Sequence, residues 1–429
     1  MPTTKKKATT TKKTTKATKE TKAKSSEVVE DNLSTILDIG KDIGFSPIGS
    51  TDTSDVHDYL PTFIPSLDAI IGGGFPFRRF SEVFGAAGAG KSTLLVYMTM
   101  IASKLGIPIF WVDTEGTTGS DRLSDFDVDM RYVQIFDLSS LGKTELLTVE
   151  KIDSIIEGLL DKYLEDDRLA GHPAVIIWDS IAGTISQEES ETGINESERL
   201  GRPAAAITRI IRRITPKLNK CDVSVLVTNQ VRANMDAANK YSPKTKRASG
   251  GKALDHAETV RLSLAKGQKL TGMTNISRGV LDNGGKNVIG HKVTFKGDKN
   301  KNSPEEQTTK LDVYTSELLS DEPYVNLTGL DFYECITTDA IGAGIIKNAA
   351  GFYTFITKNG EIYKKRRKDF LLDLRVNDEV MTDLFEQTLM FYFPYRYPAM
   401  NNENIDITKF KYWTDTLTEK YKDVKHGRL

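Results

Sequence analysis

The chain has 429 residues, 38% of them hydrophobic, and a formal net charge of −1. That is enough for two or three domains with a sizeable core, and too balanced for overall charge to mark a nucleic-acid binder. No apolar run approaches the ~18 residues a membrane span needs, and the charged start lacks the hydrophobic stretch of a secretory signal, so the expectation is a cytoplasmic protein without a membrane partner. Cys221 and Cys335 lack the spacing of a disulfide framework or metal site and read as reduced, structural thiols.

The charge is uneven. Residues 1–24 hold nine lysines and one acid, Glu20, a charge of +8 that leaves −9 on the remainder. Residues 1–27 form a Thr/Lys arm with almost nothing apolar to bury, for which disorder is the physical default. Its lysines either solubilise the chain or touch DNA or other proteins. In residues 28–58, Val29, Leu33, Ile36, Leu37 and Ile43 recur at near-helical spacing before Pro47 and Gly49 break the pattern. This helix either packs on its own core or serves as a polymerisation segment that docks on a neighbouring subunit.

From Phe80 to about Leu264, the runs FSEVFG, PIFWVD, YVQIFD, AVIIWD, VSVLVTN and TVRLSLA alternate with amphipathic stretches. That order predicts an α/β fold with a mostly parallel sheet covered by helices on both faces. HKVTFKGDKNK and TKLDVY continue it, within a core taken as residues 59–328. Residues 329–429 make a smaller α+β C-terminal domain whose aromatic-rich end has no functional reading.

Gly85, Ala86, Ala87, Gly88, Ala89, Gly90, Lys91 and Ser92 match G-x-x-x-x-G-K-[ST] between a strand and a helix. The glycines let backbone amides curl around phosphates, Lys91 neutralises phosphate charge, and the Ser92 hydroxyl is a magnesium ligand, with Thr93 beside it. PAVIIWDS ends its strand on Asp179, a second magnesium-site residue if it emerges beside the loop. Glu115, in FWVDTEG, is from chemistry alone either the base that polarises the attacking water or an ordinary loop glutamate. The expected cofactors are ATP and Mg2+.

These segments, in this order over roughly residues 60–370, resemble the RecA family of recombinases. PSLDAIIGGGFPFRRFSEVFGAAGAGKSTL is similar to the family's opening strand and phosphate loop, and VDTEGTTGSDRL places Glu115 on the catalytic glutamate and Arg122 on an adenine-stacking arginine. The resemblance implies a P-loop NTPase core of RecA type. VLVTNQVRANMDAANKYSPKTKRASGGKAL resembles the family's sensor strand and second DNA loop. Gln230 would then sense the γ-phosphate, and Arg232, Met235, Lys244, Lys246, Arg247, Gly250 and Gly251 would meet DNA, with Leu200 in the first loop. Arg209, Arg212 and Arg213 read as either a DNA-facing stripe or a solvated helix face.

FKGDKNKNSPEEQ resembles the bacterial branch's lysine pair, which would give Lys299 and Lys301 a role at the neighbouring subunit's ATP. With the archaeal-style DTEGT wording, the mixture points to a phage-type recombinase. The implied activity is DNA-dependent ATP hydrolysis coupled to homologous pairing and strand exchange, in a homo-oligomeric helical filament on single-stranded DNA that meets homologous duplex. Single-strand binding and loader proteins are further expected partners. A ring-forming RecA-core motor would share Glu115 and Asp179 but has no use for the Lys-Asn-Lys segment. A non-hydrolysing regulator has no use for an intact Lys91 and Ser92.

Overall fold

The computed structural model describes residues 58–136 (except 117), 141–191 (except 143 and 144), 202–233, 246–248, 254, 257–272, 287–314 (except 302 and 303) and 329–395, with 38 and 41. The N-terminal arm and most of the helix expected over 28–45 lie outside these residues. Asp38 and Lys41 are both helical and form an ion pair three residues apart.

In chain order the elements of residues 56–429 are β1 (Tyr59–Leu60), α1 (Pro65–Ile70), β2 (Phe75–Pro76), β3 (Phe80–Gly85), α2 (Lys91–Lys104), β4 (Ile109–Asp113), α3 (Ser120–Asp125) and β5 (Val133–Ile135). Next come α4 (Val149–Glu165), β6 (Ala174–Asp179), α5 (Gln187–Glu191), α6 (Arg202–Leu218), β7 (Val223–Ala233), β8 (Lys246–Ala248), β9 (Glu258–Gly272), β10 (Asn287–Asn300) and β11 (Thr308–Tyr314). The chain continues with β12 (Gly329–Leu330), α7 (Phe332–Gly342), β13 (Lys347–Ala349), β14 (Phe352–Ile356), β15 (Ile362–Arg366), α8 (Arg367–Leu374) and α9 (Asp378–Tyr392).

The main sheet runs β12-β11-β10-β9-β3-β7-β6-β4-β5, with β8 pairing β7. From β9 to β5 every pair is parallel, whereas β10, β11 and β12 are added antiparallel. Period-2 alternation divides the side chains between two layers. Val83, Trp111, Ile177, Leu226 and Leu262 join the core around α2, while Phe80, Val112, Trp178, Val225 and Val227 join the core of α4 and α6. β6 is buried along its whole length, as a strand covered on both faces must be.

On α4, the Thr148 hydroxyl caps the N-terminus by accepting from the Lys151 amide, and Ile152, Ile156 and Leu160 recur at four-residue spacing on the buried face. Arg213 of α6 is paired with Asp153 and Glu157 of α4, and Lys217 with Glu157 and Asp161. Of the three arginines that form one stripe in the sequence, all exposed, Arg213 is also a helix-to-helix clamp.

β12 belongs to the main sheet, so the C-terminal region starts as its last strand. That region then packs back: the Ser66 amide of α1 donates to Asp339 Oδ2 of α7 at 2.8 Å. Its three-stranded sheet β13-β14-β15 closes on Phe370, which stacks edge-on against Tyr353 and Tyr363. Deeper still, Arg375, 1% exposed, bonds Asp331 and lies 4.5 Å from the centre of the Tyr333 ring. Asp331 also caps α7 through the Tyr333 amide. Removing one member of such a pair strands a buried charge. Arg375→Met should therefore destabilise the protein by about 3–5 kcal/mol, read as a lowered urea midpoint. Both cysteines are buried, and burial pushes the Cys221 thiol up to about 11. In the native protein both should resist alkylation by a thiol reagent that labels them fully after denaturation.

Candidate active site

The phosphate loop leaves the C-terminal end of β3 and enters α2. A side chain at Gly85 would place its Cβ 2.5 Å from the Leu264 carbonyl oxygen, so the neighbouring strand itself demands glycine there. Gly88 and Gly90 adopt φ of 68° and 97°, which glycine alone reaches without strain. The turn leaves Ala86, Ala87 and Gly88 exposed, while Ala89 is buried beneath them. Lys91 Nζ donates to the carbonyls of Gly85 and Ala86, each at 3.1 Å. Burial lowers its pKa, while the charges of Asp179 and Glu115 act to raise it. A cation desolvated at a helix N-terminus is suited to an anionic ligand.

β6 and β4 deliver the carboxylates. Asp179 Oδ1 accepts from the Thr228 hydroxyl of β7, and Oδ2 is buried with no hydrogen-bond partner among the described residues. The Ser92 hydroxyl lies beside this carboxylate and acts to lower its pKa. Burial raises the Asp179 pKa, against the lowering effects of Thr228 and Ser92, with Glu115 and Asp113 pushing further upward. An unshared carboxylate oxygen beside a serine hydroxyl fits the hard, oxygen-only donor set of Mg2+, which keeps its remaining positions for water and phosphate.

Glu115 is exposed at the end of β4, and its Oε1 accepts from the Ser180 hydroxyl at 2.7 Å. The loop carrying it is shaped by Asp113, which accepts from the amides of Glu115, Gly116 and Thr118 at 2.7–3.0 Å. Thr114 stitches β4 to β6 by bonding the Asp179 and Ser180 backbone. Arg122 of α3 reaches Thr93 at 3.4 Å, at the head of α2. Gln230 stands opposite Gly85 in the β3–β7 register. Its amide donates to Asn229 Oδ1 at 2.9 Å, and Asn229 Nδ2 donates to Glu82 Oε1 at 2.7 Å.

The structure thus gathers Lys91, Ser92, Thr93, Glu115, Arg122, Asp179 and Gln230 at one end of the sheet. It does not bring Lys299 and Lys301 there. Lys299 lies opposite Arg261, and the Lys301 amide donates to the Thr259 carbonyl, at the end of the sheet where β3 begins. From the level of Lys301, Gly85 is about five residues further along β3, ~16 Å at ~3.3 Å per residue, and from Glu82, with which Lys299 is level through Arg261, it is three residues, ~10 Å. Neither lysine stands on the rung of the phosphate loop. Asn300, between the two lysines, turns inward to donate to the Ile70 carbonyl at 3.2 Å, and alternation puts both lysines on the opposite face.

Among the residues expected on DNA, Arg232 lies in the β7–β8 ladder opposite Arg247, with Lys246 opposite Ala233. Leu200, Met235, Lys244, Gly250 and Gly251 lie outside the described residues. The sequence reading missed Asp113, Thr228, Asn229, Ser180 and Glu82. Thr228 and Asn229 sit in the quoted VLVTNQ strand. A polar pair closing an apolar strand was the signal available for them.

Comparison with known proteins agrees with this geometry. Residues 59–280, half of the chain, match the sequence model of the Rad51 family. The chain is 26% identical over 355 residues to Protein RecA of Ureaplasma parvum, covering 82% of this chain and 90% of that protein. It is 24% identical over 341 residues to Protein RecA of Thermotoga maritima (79% and 81%), and 24% identical over 322 residues to Protein RecA of Streptomyces coelicolor (75% of each). With its phosphate loop and carboxylates assembled on this sheet, the chain belongs to the Rad51 family of RecA-like recombinases, DNA-dependent ATPases of homologous recombination.

Proposed function

We propose that this chain hydrolyses ATP held between adjacent subunits of a filament on single-stranded DNA, and uses that cycle to pair the strand with homologous duplex. One observation supports the reading: Lys299 and Lys301 lie three and about five residues short of the level of Gly85, toward the end of the sheet where β3 begins. Two cations held in register by the buried Asn300 are of use to a nucleotide only on another copy of the chain. The segment 28–58 is the natural candidate for the arm linking such copies, ahead of a core over 59–328 and a C-terminal domain over 329–429.

In this reading Lys91 releases its two carbonyl partners to take phosphate oxygens, and the amides of residues 85–91 surround them. Ser92 and Asp179 would hold Mg2+, which supplies neutralisation of phosphate charge. Glu115 leaves the Ser180 hydroxyl to polarise water, and Arg122 packs against the base. Gln230 contacts the γ-phosphate and passes nucleotide state to the β7–β8 hairpin, where Arg232, Lys246 and Arg247, with Lys244, Met235, Gly250, Gly251 and Leu200, meet DNA. Backbone contact and stacking give affinity with little base selectivity. Among the described residues no helix is long and apolar enough to cross a membrane.

ATP hydrolysis with and without single-stranded DNA tests this directly. Lys91→Ala should abolish turnover. Lys299→Ala combined with Lys301→Ala should lose DNA stimulation while still binding ATP, and retention of stimulation in that double variant defeats the proposal. Glu115→Gln should lower kcat by about 10²–10⁴-fold with ATP affinity preserved, as loss of a general base does. Single-strand affinity should fall log-linearly with salt, with a slope of about −0.7 per phosphate neutralised, and replacing Lys246 and Arg247 with alanine should flatten that slope.

A further inference from the structure

Four strands carry a line of charge and amide groups across the middle of the main sheet. In register, Lys299 of β10 faces Arg261 of β9, Arg261 faces Glu82 of β3, and Glu82 faces Val227 of β7, two residues before Asn229. Directly opposed residues point to the same face, as do residues two apart, so these groups share one side of the sheet. The contacts bear this out. Arg261 Nε lies 2.8 Å from Glu82 Oε2, and Asn229 Nδ2 donates to the other oxygen of the same carboxylate. Arg261 also lies over the Phe84 ring, 4.6 Å from its centre. Asn229 closes the line by accepting the Gln230 amide.

A second carboxyl joins it. Glu258, at the start of β9, has Oε1 3.8 Å from the Arg261 guanidinium, and Glu82, Glu258 and Asn229 are all fully buried. One arginine thus stands between two interior carboxyls. Around Glu258 the charged groups are Glu82 on β3, Arg261 on its own strand, and Lys299 and Lys301 at the end of β10, with Arg79 beside Lys301. The line runs from Gln230, whose amide Asn229 accepts, to Lys299, which faces Arg261 in register, with Lys301 two residues on.

We propose that Glu82 and Glu258 are positioning residues for ATP hydrolysis, forming with Arg261 and Asn229 a buried link that sets the placement of Gln230 and the availability of Lys299 and Lys301 together. The proposal rests on the between-subunit roles given above to those three residues. A nucleotide that pulls on Gln230 at its own site shifts Asn229 and hence Glu82. Arg261 then divides itself differently between Glu82 and Glu258, and the lysine pair offered to the next subunit moves with it. Binding at one interface is thereby reported to the opposite face of the same subunit.

Burial and the neighbouring Glu82 push Glu258 up to about 9, so it is a neutral acid at neutral pH. Ionised above that, it competes for Lys299 and Lys301 on its own chain. Lys301 is itself lowered by burial and by Lys299 and Arg79, and sheds its proton more readily than a free lysine. A variant is therefore needed to separate the two groups.

The experiment is a double-mutant cycle on DNA-stimulated hydrolysis with Glu82→Gln and Lys299→Ala, paired with pH profiles of wild type and Glu258→Gln. Glu82→Gln should lower the stimulated kcat by about tenfold or more, with a much smaller change in the KM for ATP. The double variant should be no worse than the poorer single, because both break one link. Wild-type stimulated kcat should fall as pH rises through about 9, and Glu258→Gln should keep its rate until the lysines themselves discharge. Losses that multiply in the cycle, or superimposable pH profiles, would overturn the link. If Glu82→Gln does not fold, the Glu258→Gln profile decides alone, since that change removes no charge present at neutral pH. Were Lys299→Ala combined with Lys301→Ala to leave stimulation intact, the filament reading itself would fail. A stimulated wild type that needs both lysines, with an additive cycle, would remove only the link.

Discussion

The parallel insertion of β3 between β7 and β9 is the constraint from which the rest of the site follows. It puts Gly85 on one rung with Gln230 and Leu264, so the phosphate loop opens beside Gln230, and the Leu264 carbonyl comes too close to admit any side chain at Gly85. Three residues earlier the same pairing sets Glu82 opposite Arg261. The placement of one strand therefore governs both the shape of the loop and the line of charge through Glu82 and Arg261. Parallel pairing needs its crossovers packed on both faces, and α2 on one side with α4 and α6 on the other supply them.

Among the described residues, several interior charges are answered by a neighbouring group. Lys91 is held by two carbonyls, Asp179 by Thr228, Asp113 by three amides and Glu82 by Arg261 and Asn229. Burial of an unanswered ion costs several kcal/mol, so these partners decide which protonation states survive folding. Among the described residues, Asp179 Oδ2 and both oxygens of Glu258 are buried without a hydrogen-bond partner. The first is suited to a metal ion, the second to a proton.

The C-terminal region is fastened to the core by ordinary packing. β12 completes the sheet, the α7 carboxylate of Asp339 caps the Ser66 amide, and the pair of Arg375 with Asp331 sits beneath Tyr333. The antiparallel β9–β10 hairpin extends the sheet past the phosphate loop at one end and brings the lysine pair to the other.

The sequence by itself determined the local facts: the Gly85–Ser92 loop between strand and helix, Glu115 and Asp179 at strand ends, the six core strands, and the family resemblance carried by their order. These depend on neighbours a few residues apart, where alternation, glycine and charge leave direct marks. Only the tertiary structure decided the order of the strands, the antiparallel addition of β10 and β11, and the small β13-β14-β15 sheet. It also turned Arg213 onto α4, gave Thr228, Asn229 and Glu82 their partners, and set the lysine pair off the rung of its own loop. Glu82 reads in the chain as one acid in an apolar strand. Its meaning comes from Asn229 and Arg261, 147 and 179 positions away, and pairing over such separations is settled by which strands lie side by side.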